Sequence, residues 1–340
     1  MKHTIKDVAK RANVSIATVS RILNEKDGYS EDTKEMVLRV IEELGYHPNA
    51  IARGLINNKT HTVGVLVPSL TGTFATELLS GIEQVTHEVG SNVIVCYTEF
   101  QGVKTMKYLQ MLNEKRVDGI IFISAELTEE YYSYVESMSI PMVLLCSESD
   151  KYQVPYVRVN DRAGGYTATK YLIDNGHRNI GLISGSEDDV LTSVQRAEGY
   201  KAALIDHNIA VNENNMVFND DFLFEDGIQG MKTLMERAPD LTAVFAASDE
   251  LALGAISVAY QYNKRVPEDI SVIGYDNLRL AEMSHPPLTS VSQPLNDMGA
   301  KAAQMLFEMQ ESKMITPSCI MPHQIIERKS VHSLKDFKKK

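Results

Sequence analysis

The spacing of apolar residues changes near residue 62. Before it they recur at three- and four-residue intervals in short bursts, as in small amphipathic helices. Val8, Ala9 and Ala12 make one narrow stripe, and Val19, Ile22 and Leu23 a second. Met36, Val37, Val40, Ile41 and Leu44 make a third. Thr4 followed by Asp7 is a capping-box start for the first helix, and Ser15 caps the second. Ser30 precedes the third, which Gly45 ends. Asn13, between the first two, suits a left-handed turn because its short polar side chain tolerates positive φ. A fourth segment, NAIARGLI, opens at Asn49 but holds Gly54, which costs a helix ~1 kcal/mol relative to alanine. So short a helix is marginal alone.

From Thr62 onward short β-branched runs alternate with amphipathic helical stretches. The runs are TVGVLVP (62–68), NVIVCY (92–97), GIIFIS (119–124), PMVLLC (141–146) and YVRVN (156–160). They continue as NIGLIS (179–184), TAVFAA (242–247), ISVIGY (270–275) and TSVSQP (289–294). Continuous apolar runs separated by helices predict parallel strands covered on both faces. The series restarts near residue 161, which predicts two α/β lobes with a ligand cleft between them. A late strand and helix (289–311) and a final strand pair (318–328) are expected to cross back between lobes.

Composition narrows the class. The 340 residues are 44% hydrophobic and 23% charged, which excludes wholesale disorder. No apolar run approaches the ~20 residues that span a bilayer, and the charged N-terminus lacks the apolar centre of a signal peptide. A cytoplasmic location without membrane contact is the expectation. Cys96, Cys146 and Cys319 show no metal-ligand spacing and read as buried free thiols. Charge is unevenly divided. Residues 1–60 hold ten Lys/Arg and eight Asp/Glu, whereas the rest hold 24 and 37. A mildly basic head on an acidic body permits nucleic-acid contact by the head.

Specific motifs sharpen this reading. The segment TIKDVAKRANVSIATVSRILN resembles the helix-turn-helix of the lactose/galactose repressor family, and GYHPNAIARGLINNKT resembles that family's hinge. The resemblance continues through GYDN (274–277), VSQP (291–294) and PHQIIERKS (322–330). Among subgroups it is nearest to the catabolite control proteins of Gram-positive bacteria. It implies an all-α helix-turn-helix head and an α/β core of two parallel-sheet lobes, like periplasmic sugar-binding proteins. The implied boundaries are 1–48 for the head, 49–61 for hinge and linker, and 62–334 for the core. The N-lobe would take about 62–160 and 292–319, the C-lobe about 161–291 and 320–334.

Operator DNA and a homodimer are implied as partners. In a helix-turn-helix the N-terminal end of the second helix enters the major groove. Ser15, Ile16, Ala17 and Thr18 occupy that end here, with Ser20 and Arg21 one turn on and Thr4 at the start of the preceding helix. Ile16 and Ala17 are odd on an exposed helix start but can meet thymine methyl groups, and Arg21 can pair with guanine or phosphate. In the hinge, Leu55 matches the family's minor-groove wedge, flanked by Asn49, Ala52 and Arg53.

For the effector, the family pattern falls on Phe74, Arg196, Ser248, Asp249, Asp276 and Gln293. Arg and Asp can hold vicinal hydroxyls by paired hydrogen bonds, and an aromatic face packs on a sugar ring. Phe74 could instead be core, and Asp249 a helix N-cap. One cation among carboxylates favours a neutral sugar or sugar derivative over a phosphate dianion. The subgroup adds a rival signal, a serine-phosphorylated phosphocarrier protein. Its basic docking positions fall on His47 and His285, with Arg279 and Lys301 nearby. A cytosolic sugar-binding protein with a vestigial head is the alternative from another class. No GxxxxGK[ST], HExxH or GxSxG is present, so neither an enzyme nor a cofactor is expected. The acidic run Glu187-Asp188-Asp189 reads as a solvated turn rather than a metal site.

Overall fold

A computed structural model describes residues 3–23, 27–46, 59–69, 73–99 and 102–335. Its contacts divide the chain into two units, Met1–His61 and Thr62–Lys340. The hinge positions His47, Asn49, Ala52, Arg53 and Leu55 lie outside the described residues.

The first unit holds α1 (Ile5–Arg11), α2 (Ile16–Leu23) and α3 (Glu31–Leu44). The Thr4 backbone N–H and hydroxyl both donate to Asp7, each at 2.8 Å. The backbone bond is the main reason that the Asp7 carboxyl sits below its ordinary range. Asn13 takes φ 52°, turning the chain so that α2 packs on α1. The core is Val8, Ala9, Ala12, Val19, Ile22, Val37 and Val40. Met36, expected on the apolar stripe of α3, is instead 40% exposed. Three short helices enclose too little volume to bury every apolar residue, and Val37 and Val40 take the inward positions.

The second unit contains two six-stranded sheets. The N-lobe runs β1 (Thr62–Val67), α4 (Thr73–Glu88), β2 (Asn92–Tyr97), α5 (Thr105–Lys115) and β3 (Gly119–Ile123). It continues through α6 (Glu129–Met138), β4 (Met142–Leu145) and β5 (Tyr156–Val159). The chain then enters the C-lobe with α7 (Asp161–Asp174), β6 (Ile180–Ser184), α8 (Ser193–Asp206), β7 (Met216–Phe218) and α9 (Phe224–Arg237). There follow β8 (Ala243–Ala246), α10 (Asp249–Gln261), β9 (Ser271–Asp276), α11 (Arg279–Met283) and β10 (Thr289–Ser292). Helix α12 (Leu295–Ser312) returns to the N-lobe core beside α4. The two last strands, β11 (Cys319–Met321) and β12 (Gln324–Ile326), do not pair with each other as expected but finish one sheet each, because each meets an unpaired edge of its own lobe.

The sheet orders are β11-β5-β4-β3-β1-β2 and β12-β10-β9-β8-β6-β7. Every residue of β3, β4, β6, β8 and β9 is buried, as their unbroken apolar runs require. One pairing departs from the all-parallel expectation: β12 is antiparallel to β10. Strand β11 runs parallel to β5 and ends at the carboxyl edge of its sheet. The chain therefore enters the second sheet from its own carboxyl edge and must run backwards.

Strand β7 was not anticipated, being three residues at a sheet edge after a run of asparagines. Of the cysteines only Cys96 is buried, while Cys146 and Cys319 are half-buried and all three are free. Among the described residues, no helix is long and apolar enough to cross a membrane.

Candidate functional site

Arg196 lies in the first turn of α8 and is 4% exposed. That turn is built by Asp189, whose carboxylate accepts the backbone N–H groups of Leu191, Thr192 and Ser193 at 3.1–3.2 Å. Glu187 and Asp188 lie exposed in a turn, as expected, while Asp189 satisfies backbone donors that the start of the helix leaves free. Helix α8 comes unusually close to α7. A Cβ on Gly165 would lie 2.2 Å from the Arg196 carbonyl oxygen, and one on Gly199 would lie 2.1 Å from that of Arg162. Glycine is required at both places, because backbone meets backbone.

This close approach sets the arginine among five groups. Its Nε donates to Asp161 Oδ1 at 2.8 Å, and Nη1 donates to the Ala247 carbonyl. Nη1 also stands 3.8 Å from Asp276 Oδ1. The guanidinium carbon lies 3.7 Å from the centre of the Tyr275 ring and 5.8 Å from that of Phe222, both within cation–π range. Burial opposes the arginine's charge, but Asp161 first, then Tyr275 and Asp276, hold it protonated.

Asp276 ends β9 at φ 102°, and Asn277 follows at φ 58°. Two successive positive φ values on non-glycine residues are costly and persist only where surroundings over-determine them. Here Asn277 N–H donates to Ser290 Oγ at 3.0 Å, and Arg328 donates to Asn277 Oδ1 at 2.7 Å. The turned carboxylate accepts Gln293 Nε2 at 2.7 Å. Burial pushes the Asp276 carboxyl up to about 7, against the pull of Arg196 and the Gln293 hydrogen bond. Asp161 is raised by burial too, with the Arg196 charge opposing.

Not all predicted site residues converge in the same way. Arg196, Asp276 and Gln293 form one connected cluster. Ser248, rather than Asp249, is the N-cap of α10, accepting Leu251 N–H at 3.1 Å and donating to the Phe222 carbonyl at 3.0 Å. Asp249 is 0% exposed and has both oxygens engaged. Oδ2 accepts Leu278 N–H at 2.7 Å, and Oδ1 accepts the Ser290 hydroxyl at 2.6 Å. It pins the turn after β9 to α10 and β10, a positioning task. Phe74, for which a core role was the alternative, is the second residue of α4 and packs half-buried on the N-lobe core.

An open cavity at this place is lined by Glu77, Asp276, Asn277, Gln293, Pro294, Leu295, Asn296 and Asp297. Asp161, Tyr275 and Phe222 were missed from the sequence. Asp161 did carry a signal, since it follows a strand directly and carboxyl ends of strands are where α/β sheets bind ligands. Phe222 sits in an acidic stretch without a motif and carried none.

In the first unit, Ser15 Oγ accepts Thr18 N–H at 3.0 Å and lies 2.9 Å from the Thr18 hydroxyl. Ile16 is 45% exposed, Ala17 and Arg21 are exposed, and Thr18 and Ser20 are half-buried. Thr4 is exposed but engaged with Asp7. Helix α2 therefore buries Val19 and Ile22 and presents Ile16, Ala17 and Arg21 outward.

Comparison with known proteins agrees with both units. Residues 4–49 match the family model "Bacterial regulatory proteins, lacI family", and residues 60–329 match "Periplasmic binding proteins and sugar binding domain of LacI family". The chain is 38% identical to catabolite control protein A of Priestia megaterium, over 97% of this chain and 99% of that one. A complex of the transcriptional regulator CelR with cellobiose is 32% identical, covering 97% of this chain and 100% of that one, with a TM-score of 0.73. The lac repressor dimer bound to operator and an anti-inducer is 27% identical, covering 98% and 100%, with a TM-score of 0.87. The chain belongs to the LacI family of bacterial transcription regulators, a DNA-binding head joined to an effector-binding core.

Proposed function

We propose that this regulator is a cytoplasmic, homodimeric repressor of carbohydrate-metabolism genes without enzymatic activity. Its effector is an unphosphorylated sugar or sugar derivative held between the two core lobes. The reading assigns residues 1–48 to the DNA-binding head, 49–61 to the hinge and 62–334 to the core. The observation that carries it is the Arg196–Asp161–Asp276–Gln293 cluster beside an open cavity. Fixed donors and acceptors of this kind suit hydroxyl pairs, each of which can donate and accept at once. A phosphate dianion would bring two more negative charges beside Asp161 and Asp276, which already share Arg196. The likeness to a cellobiose-bound regulator supports the same class.

On DNA, Ser15, Ile16, Ala17, Thr18, Ser20 and Arg21 would face the major groove, with Thr4 at the backbone. Asn49, Ala52, Arg53 and Leu55 would form the hinge contact in the minor groove. Calorimetry against a sugar panel tests the core: binding should be present in the wild type and lost in Arg196→Ala. A gel shift on genomic fragments, with and without the sugar, tests the coupling to DNA.

Similarity to catabolite control protein A favours a second reading, corepression by a serine-phosphorylated phosphocarrier protein. His285 and Arg279 are exposed and Lys301 is half-buried. Histidine is a weaker phosphate ligand than arginine, which places this reading second. Tight binding of the phosphorylated carrier with no response to any sugar would reverse the order.

A further inference from the structure

Arg196 is held along its edge by two bonds of the C-lobe. Nε donates to Asp161 at 2.8 Å, and Nη1 donates to the Ala247 carbonyl. Two in-plane contacts define a line, about which a planar guanidinium can still tilt. Only a contact on its face removes that freedom. Tyr275 supplies it, with its ring centre 3.7 Å from the guanidinium carbon, whereas Phe222 stands farther off at 5.8 Å. Asp276, the next residue of β9, meets the same guanidinium from 3.8 Å.

The ring occupies this place at a cost to the fold. Tyr275 is 0% exposed, and among the described residues its hydroxyl has no hydrogen-bond partner. Such an orphan is destabilising, and a phenylalanine would avoid it. Helix α7 gives up a side chain as well. A Cβ on Gly164 would lie 2.1 Å from Tyr275 Oη, so glycine stands where alanine would favour the helix. Packing alone could be met by a smaller apolar residue at 275 and an alanine at 164. What that pair would lose is a flat face under the guanidinium, the surface on which arginine, unlike lysine, stacks. We propose that Tyr275 is a positioning residue: its ring fixes the plane of Arg196 and so aims the guanidinium at the effector. This rests on reading Arg196 as an effector ligand and adds what orients it.

Side-chain NMR on the full-length protein with isotope-labelled arginine tests the orientation without any effector. The Arg196 Nε–H resonance, identified by its absence in Arg196→Lys, should lie upfield of the other arginine signals, because the Tyr275 ring current shields it. Calorimetry with glucose, galactose and cellobiose gives the second readout. Tyr275→Leu should return the resonance to the ordinary range and weaken sugar binding about tenfold. Tyr275→Phe, which restores the ring, should recover both and melt at a higher temperature than wild type, having shed the orphan hydroxyl. Tyr275→Met, a flexible filler of the same space, serves if the leucine variant does not fold. An unshielded resonance in the wild type, or one that the leucine or methionine variant leaves in place, would overturn the proposal. Equal loss of affinity in Tyr275→Phe and Tyr275→Leu would overturn it too, by moving the role to the hydroxyl. A shielded resonance in wild-type protein that shifts operator DNA but binds no sugar would overturn the sugar reading and leave the orientation of Arg196 standing.

Discussion

Asp161 and Arg196 are 35 residues apart in sequence, and their side chains meet at 2.8 Å between Oδ1 and Nε. Asp161 is the first residue of α7, just past the crossing from the N-lobe, and Arg196 opens the next helix. The pair therefore ties the lobe crossing to the arginine that the effector would meet.

Arg196→Ala would leave Asp161 and Asp276 buried without their cation. Removing one partner of a buried pair costs about 3–5 kcal/mol, so the melting temperature should fall by several degrees. Asp161→Asn keeps the shape and removes one charge, and should destabilise less while still weakening effector binding. Thermal denaturation and calorimetry on both variants check this. Equal stability of Arg196→Ala and wild type would refute the buried-pair account.

The Asp276 carboxyl, raised to about 7 in the fold, gives a signed pH effect. Between its ordinary value and 7 the folded state binds more protons than the unfolded chain, so stability declines as pH rises through that window. Its contribution is fully present in acid and lost above neutrality. Asp276→Asn removes the titration and should gain stability relative to wild type at pH 8 compared with pH 5. Paired denaturant curves at the two values measure the difference.

Gly165→Ala should act on the site without touching it. The new methyl group would press on the Arg196 backbone from 2.2 Å, forcing α7 and α8 apart. Overpacking of this kind costs about 1–3 kcal/mol. Effector affinity should drop along with stability, whereas an alanine at the exposed Gly90, which meets no neighbour within 4 Å, should leave affinity unchanged. Unaltered effector affinity in Gly165→Ala would show that Arg196 tolerates the shift.

Arg21 is exposed on α2 beside Ala17. If it reads a base, Arg21→Ala should weaken specific operator binding by about 1–3 kcal/mol and spare non-specific binding. Equal loss on operator and random DNA would make it a phosphate contact. Affinity of the wild type should fall steeply with salt as counterions are released. Fluorescence anisotropy at several salt concentrations measures both.

What the chain reveals unaided is whatever local periodicity and capping encode. Thr4 with Asp7, Ser15, Asn13 and Gly45 announce the head's helices, because each acts within a few residues of itself. The nine apolar runs from Thr62 announce the parallel sheets, because a strand buried on both faces can carry few polar residues. The resemblance to a regulator family pointed to Arg196, Asp276 and Gln293, which the fold brings into one cluster. Long-range geometry decided the rest. Asp249 reads like a helix start, yet it binds Leu278 and Ser290 on other elements, and only folding brings them within 2.7 Å. The reversed direction of β12 follows from which end of the C-lobe sheet the chain re-enters, a matter of topology rather than of its three residues. Asp161 and Arg196 belong to separate helices of the C-lobe, and their pairing exists only once α7 packs on α8. The charge of a binding site is a sum over residues distant in sequence, so the tertiary structure alone determines it.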